Sequence, residues 1–462
     1  MNCSGYTHRC LARFVIEAVT PLSVGSGEKD IITDALVATD VNGLPYIPGS
    51  AVAGVVRHMI DSIKPEGFDT NRVFGFQDGD KGRGSEIIFT EAKILNSKGE
   101  VMDGLRLNAS EDNLLKHYVD LPIRQHVRIN EKGVADNAGK FDEQVVFAGT
   151  RFCFELELVA DSKNIAAFEQ VLKTVSRSTF RIGGGTRKGF GAIKVVDLQK
   201  LTLDLEDERQ RQCYLSKSSA LNSDFWKKDY QTPEKDDNHD GWTKYELILS
   251  PEDFFLFGSG FGDEDADITP VKSKKVVWTD GIGTMRENLV LIPASSVKGA
   301  LSHRVAFHYN RLNGRFAGCS GDKAPKVGKN NEAVQELFGS EGERVNRKMV
   351  HQKRGNLLLS DLIENEMTDK ILNHVSIDRF TGGAMDGALF TEKTTYGKGH
   401  RFTLEIMAKE DALKTDMIRE AFEEAMKDIC KGLLPLGGGV NRGNGVFTGC
   451  LIKERELVYE NK

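Results

Sequence analysis

The chain has 462 residues, 39% hydrophobic and 28% charged, with a formal net charge of −6. That is the composition of a soluble globular protein of about two to four domains, and its charge argues against a protein that coats nucleic acid by bulk electrostatics. No run approaches the ~18 apolar residues of a membrane span, and residues 1–10 are polar and too short for a signal peptide, so the expected location is cytoplasmic with no membrane partner. The seven cysteines form no C-x-x-C pair, which argues for reduced thiols rather than a disulfide scaffold or a thiolate zinc site.

Taken in order, the elements come twice. A strand over 13–19 ends in Thr20-Pro21 and leads to Gly25-Ser26-Gly27; a strand over 244–249 ends in Ser250-Pro251 and leads to Gly258-Ser259-Gly260. Next, LPYIPGSAVAG at 44–54 is matched by LVLIPASSVKG at 289–299. Each opens a helix, with Val52, Val56 and Ile60 in one and Val297, Leu301 and Val305 in the other at helical spacing. Ser50 and Ser295 or Ser296 are placed as N-caps, where a first turn of free N–H groups favours an anion.

Further on, HVRIN at 126–130 is echoed by HVSID at 374–378, each followed by a Gly/Ala-rich segment, then Phe141 or Phe390, then a long alternating strand from Arg151 or Arg401. A helix follows (163–176, 411–431), then IGGGTRKGFG at 182–191 or LGGGVNRGNG at 436–445, then a last strand (192–198, 446–452). Loops of three glycines with Arg187 and Lys188, or Asn441 and Arg442, at the tip can bring backbone N–H groups and donors to a phosphate.

Each half therefore reads β-α-β, irregular excursion, β-α-loop-β. That is an α+β chain of two tandem ferredoxin-like domains, over 1–200 and 244–462, joined by a polar linker at 201–243. The second domain adds a basic excursion holding Arg344, Arg347, Lys348, His351, Lys353 and Arg354.

The ordered set of Gly-Ser-Gly, Asp, PYIPGS, the V/LFG turn, HVxI(D/N) and the terminal GGGxRxGxG resembles the RAMP superfamily. More narrowly it resembles the backbone subunits of type III CRISPR effector complexes, here two fused in one chain over roughly 11–200 and 244–455. The resemblance implies a crRNA guide held along the palm by Ser50, Arg57, Arg187 and Lys188 in the first half and by Ser295, Ser296, Lys298, Asn441 and Arg442 in the second. His126, Arg128 and His374 border thumb hairpins, at about 130–147 and 378–396, that splay a guide–target base pair. It also implies as partners a single-stranded target RNA, a large signalling subunit, a small subunit and neighbouring RAMP backbone subunits.

In members that cleave target RNA, an aspartate between Gly-Ser and IPGS acts with a divalent metal. Asp34 holds that place, and the implied cofactor is Mg²⁺. A carboxylate there can position a 2′-hydroxyl or bind a metal, with water and phosphate supplying the remaining ligands. In the second half, twelve extra residues blur the register. Counting from the glycines gives Asp267, in an acidic run with Asp263, Glu264 and Asp265; counting back from Pro293 gives Thr279 beside Asp280; matching Thr39-Asp40 gives Lys274.

The expected function is thus a guide-binding subunit with endoribonuclease activity at Asp34 and Asp267, which are also the metal ligands. Other readings are a non-catalytic spacer of the same complex, a guide-processing nuclease using His126 and His374, and a tandem ferredoxin-like protein without RNA.

Overall fold

The computed structural model describes residues 5–30, 33–161, 164–226, 241–340, 343–345, 348–350 and 352–461. In the first half the chain forms β1 (His8–Ala18), α1 (Gly49–Ile63), β2 (Ile87–Phe89), β3 (Ile123–Ile129), β4 (Ala135–Gln144), β5 (Arg151–Ala160), α2 (Ile165–Ser176) and β6 (Ile193–Asp204). β1 lies between β6 and β5, antiparallel to both, and β2 pairs with β5. The order fourth–first–third–second is that of a ferredoxin-like sheet.

Both faces of β1 are covered, which explains why its apolar positions run almost without alternation. On one side Phe14, stacked 5.0 Å from Phe154, joins Val52, Val56 and Ile60 of α1 and Phe168, Val171 and Leu172 of α2 in a single core. On the other, Leu11 and Leu203 pack on Trp226, whose Nε1 donates to Glu155 at 2.6 Å. That cover comes from the range read as linker. β6 runs to Asp204 rather than ending at 198, and α3 (Glu208–Leu215) follows it; residues 227–240 lie outside the described residues.

The second half repeats the plan with β7 (Trp242–Pro251), β8 (Lys272–Thr279), β9 (Ile282–Ile292), α4 (Ala294–Leu312), β10 (Leu357–Leu359), β11 (Asp369–Ile377), β12 (Ala384–Tyr396), β13 (Phe402–Lys409), α5 (Asp416–Cys430), β14 (Phe447–Lys453) and β15 (Glu456–Glu460). Its sheet runs β10-β13-β7-β14-β15, and α5 buries Ile418, Phe422 and Met426 against it. No helix among the described residues is long and apolar enough to cross a membrane.

Three local expectations are corrected. Both IPGS-type helices are capped at Pro48 and Pro293 without a side-chain bond, so Ser50 and Ser295 sit inside the first turn rather than capping it. His126 and His374 lie within the first strand of each thumb hairpin, β3–β4 and β11–β12, instead of before it. Thr20-Pro21 does not correspond to Ser250-Pro251. The N–H of Gly191 donates to Pro21 O at 2.9 Å, whereas Gly445 donates to Phe254 O at 2.8 Å, so the counterpart of Pro21 is Phe254. Of the basic excursion, Arg347 and His351 lie outside the described residues.

The twelve extra residues of the second half lengthen the chain into the β8–β9 hairpin, which reaches into the first half. Val276 is buried in the first core, its N–H donates to Ala148 O at 2.8 Å, and Trp278 Nε1 donates to Gly149 O at 2.8 Å. Gly149 has φ 80°, and a Cβ there would fall 1.9 Å from Val276 O, so only glycine admits the hairpin. Lys274 pairs with Glu287 on this hairpin at 2.9 Å, and Asp280 sits at its tip with φ 51°.

Candidate nucleic-acid interface

The two glycine loops share a fold and differ in surroundings. Gly184 donates its N–H to Ser23 O at 2.6 Å and Gly438 to Leu256 O at 2.6 Å; Lys188 and Phe190 donate to Gly185 O, as Arg442 and Asn444 do to Gly439 O. These amides are taken by the loop's own packing, so the anion-attracting groups are side chains rather than an open backbone nest.

Behind each loop lies a buried glutamate that spacing alone did not single out. Glu143 on β4 meets His126 Nε2 at 2.8 Å and Lys188 Nζ at 3.2 Å. On β12, Glu392 meets His374 Nε2 at 3.1 Å and Asn444 Nδ2 at 3.0 Å and pairs closely with Arg442. In each half the histidine stacks on the neighbouring phenylalanine, Phe141 or Phe390, and the loop cation lies over the same ring. Burial alone would raise both carboxyls, but these partners outweigh it and hold Glu143 and Glu392 below the usual carboxylate range. The signal that was available is F-x-E, Phe141-Asp142-Glu143 and Phe390-Thr391-Glu392. Lys188 and Arg442 are therefore tethered cations, and His126 and His374 are held by carboxylates at the thumb base. Arg128, farther out on the thumb, pairs with Asp136 at 3.1 Å.

The same strands hold the two candidate aspartates. Asp142 N–H donates to Asp34 Oδ2 at 3.1 Å and Asp34 N–H to Asp142 O at 3.2 Å. Thr391 N–H donates to Asp267 Oδ2 at 2.8 Å. Ala35 bridges Glu143 and Ile268 bridges Glu392, both in parallel. Asp267, not Thr279, Asp280 or Lys274, is thus the counterpart of Asp34. Asp263 and Asp265 fold onto Lys393.

Among the described residues no group of three His, Cys, Asp or Glu side chains is placed to hold a metal. A divalent cation here would have to take one or two carboxylates and fill its shell with water and phosphate oxygens, which Mg²⁺ does readily. The Asp34 loop fits such an ion, because Asp142 Oδ1 beside it is buried with no hydrogen-bond partner, an acceptor in want of a positive neighbour.

At the junction of the halves, cations crowd together. The first glycine loop docks on the start of α4, where the Asp361 N–H donates to Gly189 O at 3.2 Å and the Asp361 carboxylate accepts the Ala294 N–H at 2.9 Å. Asp361 also pairs with Arg124 at 3.3 Å, both largely buried. A Cβ on Gly189, at φ 120°, would fall 2.3 Å from Asp361 Oδ1. Arg187 donates to Gly355 O at 2.8 Å and lies over the Trp242 ring, and Lys298 donates to Arg187 O at 3.1 Å. These bonds go to carbonyl oxygens, not carboxylates. Burial, then Arg354 and Arg181, push Arg187 down to about 9; burial, then Arg187 and Lys188, push Lys298 down to about 8. Arg181 is buried with Nε and Nη1 unpartnered and is pushed down to about 10 by burial. Crowded, desolvated cations of this kind are relieved by an incoming anion.

The remaining candidates lie apart from this cluster. Arg57, on α1, contacts Asn71 at 3.4 Å and Asp61 at 4.0 Å. Ser50 and Ser296 are exposed, Ser295 half-buried. Asn441 takes the place of Arg187 in the second loop, whose tip is exposed.

The profile of the RAMP superfamily matches residues 15–194 and 286–448. No curated protein matches the sequence. Among solved structures, a chain of the cryo-EM structure of type III-B Cmr-beta in the apo state is similar at 17% identity with a TM-score of 0.31, over 40% of this chain and 96% of that one. Likeness at that level carries no weight on activity.

Proposed function

The chain belongs to the RAMP superfamily, and from that premise we propose that it is a crRNA-binding backbone subunit of a type III CRISPR interference complex, two RAMP domains in one chain, acting in the cytoplasm and cleaving complementary target RNA at Asp34. The observation that carries the RNA part is the set of cations at the junction, Arg181 buried and Arg187 and Lys298 half-buried, whose hydrogen bonds among the described residues reach carbonyl or hydroxyl oxygens. A run of guide phosphates supplies the missing charge.

Asp34 accepts a hydrogen bond from the 2′-hydroxyl of a splayed target nucleotide and takes its proton as the 2′ oxygen attacks the adjacent phosphorus. The bond to the 5′ oxygen breaks, leaving a cyclic phosphate and a 5′-hydroxyl once that oxygen is protonated. A divalent cation, Mg²⁺, would be held at Asp34, where it would supply charge neutralisation on the phosphate and the leaving oxygen. The thumb hairpins β3–β4 and β11–β12 hold the target strand open at either site, and neighbouring subunits of the complex extend the guide track.

The spacer reading has one observation in its favour, confined to the second half: Asp267 is already engaged by both the N–H and the hydroxyl of Thr391. On this reading Asp267 is the weaker site. The RNA part is tested by guide-RNA binding across a salt series. Arg187→Ala with Lys298→Ala should weaken retention and flatten the salt slope, while Asp34→Ala leaves both intact. Unchanged retention and slope in the cation variants would overturn it.

A further inference from the structure

The two aspartates stand in equivalent places, yet the residue that holds each one differs. In the second half Thr391 gives Asp267 Oδ2 its N–H at 2.8 Å and its hydroxyl at 3.0 Å, and its Oγ1 accepts the Asp267 N–H at 3.0 Å. Every polar atom of that side chain is used. In the first half the same position is Asp142, which gives Asp34 Oδ2 its N–H but no side-chain proton. Its Oδ1 is buried without a partner, and the cation beside its Oδ2, Lys140 Nζ, stands off at 3.8 Å.

A carboxylate oxygen removed from water without a donor loses its hydration with nothing in return, and the loss is greater for a charged group. An ion of the opposite sign removes that penalty, and Mg²⁺ binds through one or two carboxylates while keeping water and phosphate in the rest of its shell. The acidic run of the second half offers no substitute, because Asp263 and Asp265 are engaged by Lys393, which stands where the first half has Gln144.

We propose that Asp34 and Asp142 together ligate a divalent cation in the first half, and that Thr391 leaves the second half without an equivalent site. The inference deepens the cleavage reading above and rests on it for its functional meaning, but not for its test. The asymmetry makes the Asp34 half the one that acquires its ion from the protein, whereas the Asp267 half depends on RNA phosphate to bring one.

The test is Mn²⁺ binding to the full chain without RNA, read by the loss of the free-ion EPR signal, with thermal melting to confirm folding of each variant. Wild type should hold one Mn²⁺ more tightly than any other. Asp142→Asn and Asp34→Asn should each lose it, Asp267→Asn should keep it, and Thr391→Asp should gain a second. Unaltered Mn²⁺ binding in Asp142→Asn, loss of the ion in Asp267→Asn, or no tight ion in wild type would each overturn the proposal. Target cleavage scored on the same proteins in the assembled complex separates the two readings. If Mn²⁺ depends on Asp142 but no protein cuts RNA, the cation site stands and the cleavage reading falls. If RNA is cut and Mn²⁺ binding ignores Asp142, the cleavage reading stands and the cation site falls.

Discussion

At Glu392, a fully buried carboxylate holds together three elements: His374 from the thumb, Arg442 and Asn444 from the glycine loop, and the strand beside the Asp267 loop. Replacing it by Leu should lower stability by about 3 kcal/mol, the low end for breaking a buried ion pair because Arg442 keeps some solvent contact; a urea titration checks the value. The carboxyls of Glu392 and Glu143 are held below the usual carboxylate range. Their contribution is therefore present above the unfolded value of about 4.3 and lost as pH falls through the folded one. Thermal melting between neutral and acid pH should show stability falling below about pH 4.5, and falling less steeply in Glu392→Gln. That Asp267 stands in the place of Asp34 was one of the registers the sequence offered, the one counted from the Gly-Ser-Gly that starts each loop. The glutamates carried only the repeated F-x-E as a signal, because their partners come from separated segments of the chain.

Among elements, the β8–β9 hairpin sets how the halves meet. Val276 enters the first core, and the Trp278 indole bonds to Gly149 O with the Arg151 guanidinium 4.2 Å from its ring centroid. Gly149→Ala forces a side chain onto Val276 O, so the hairpin should lift and the single melting transition should split into two, by calorimetry, with the second half's transition little changed. Trp278→Ala, which leaves the backbone alone, should cost about 2–3 kcal/mol in the first transition, somewhat below a fully buried aromatic truncation. The paired strands, helices and glycine loops of both halves were readable because hydrophobic period and turn residues are local. The hairpin was visible in the sequence only as surplus length. The match of Thr20-Pro21 to Ser250-Pro251 went wrong for a related reason: chemical likeness stood in for register, and register is set by which carbonyl receives the N–H of Gly191 or Gly445.

For the whole molecule, the consequence of this docking is one block with cations gathered at its seam. Sequence placed Arg187 and Lys298 on RNA separately. It held no sign that they meet each other across the halves, because that contact joins residues more than a hundred positions apart. With Lys298 pushed down to about 8, an RNA phosphate beside it should raise it again. Guide binding then takes up a proton, and affinity should fall as pH rises above about 8, by up to about tenfold per pH unit; Lys298→Ala should remove that dependence in a binding series at constant ionic strength. The central claim is that this block cuts target RNA at Asp34, and it is tested most directly by mapping the products of an end-labelled target in the assembled complex with Mg²⁺. Asp34→Ala should abolish one defined cut with guide and target binding unchanged, while Asp267→Ala removes at most a slower second product. A product pattern that Asp34→Ala leaves unaltered would contradict the account.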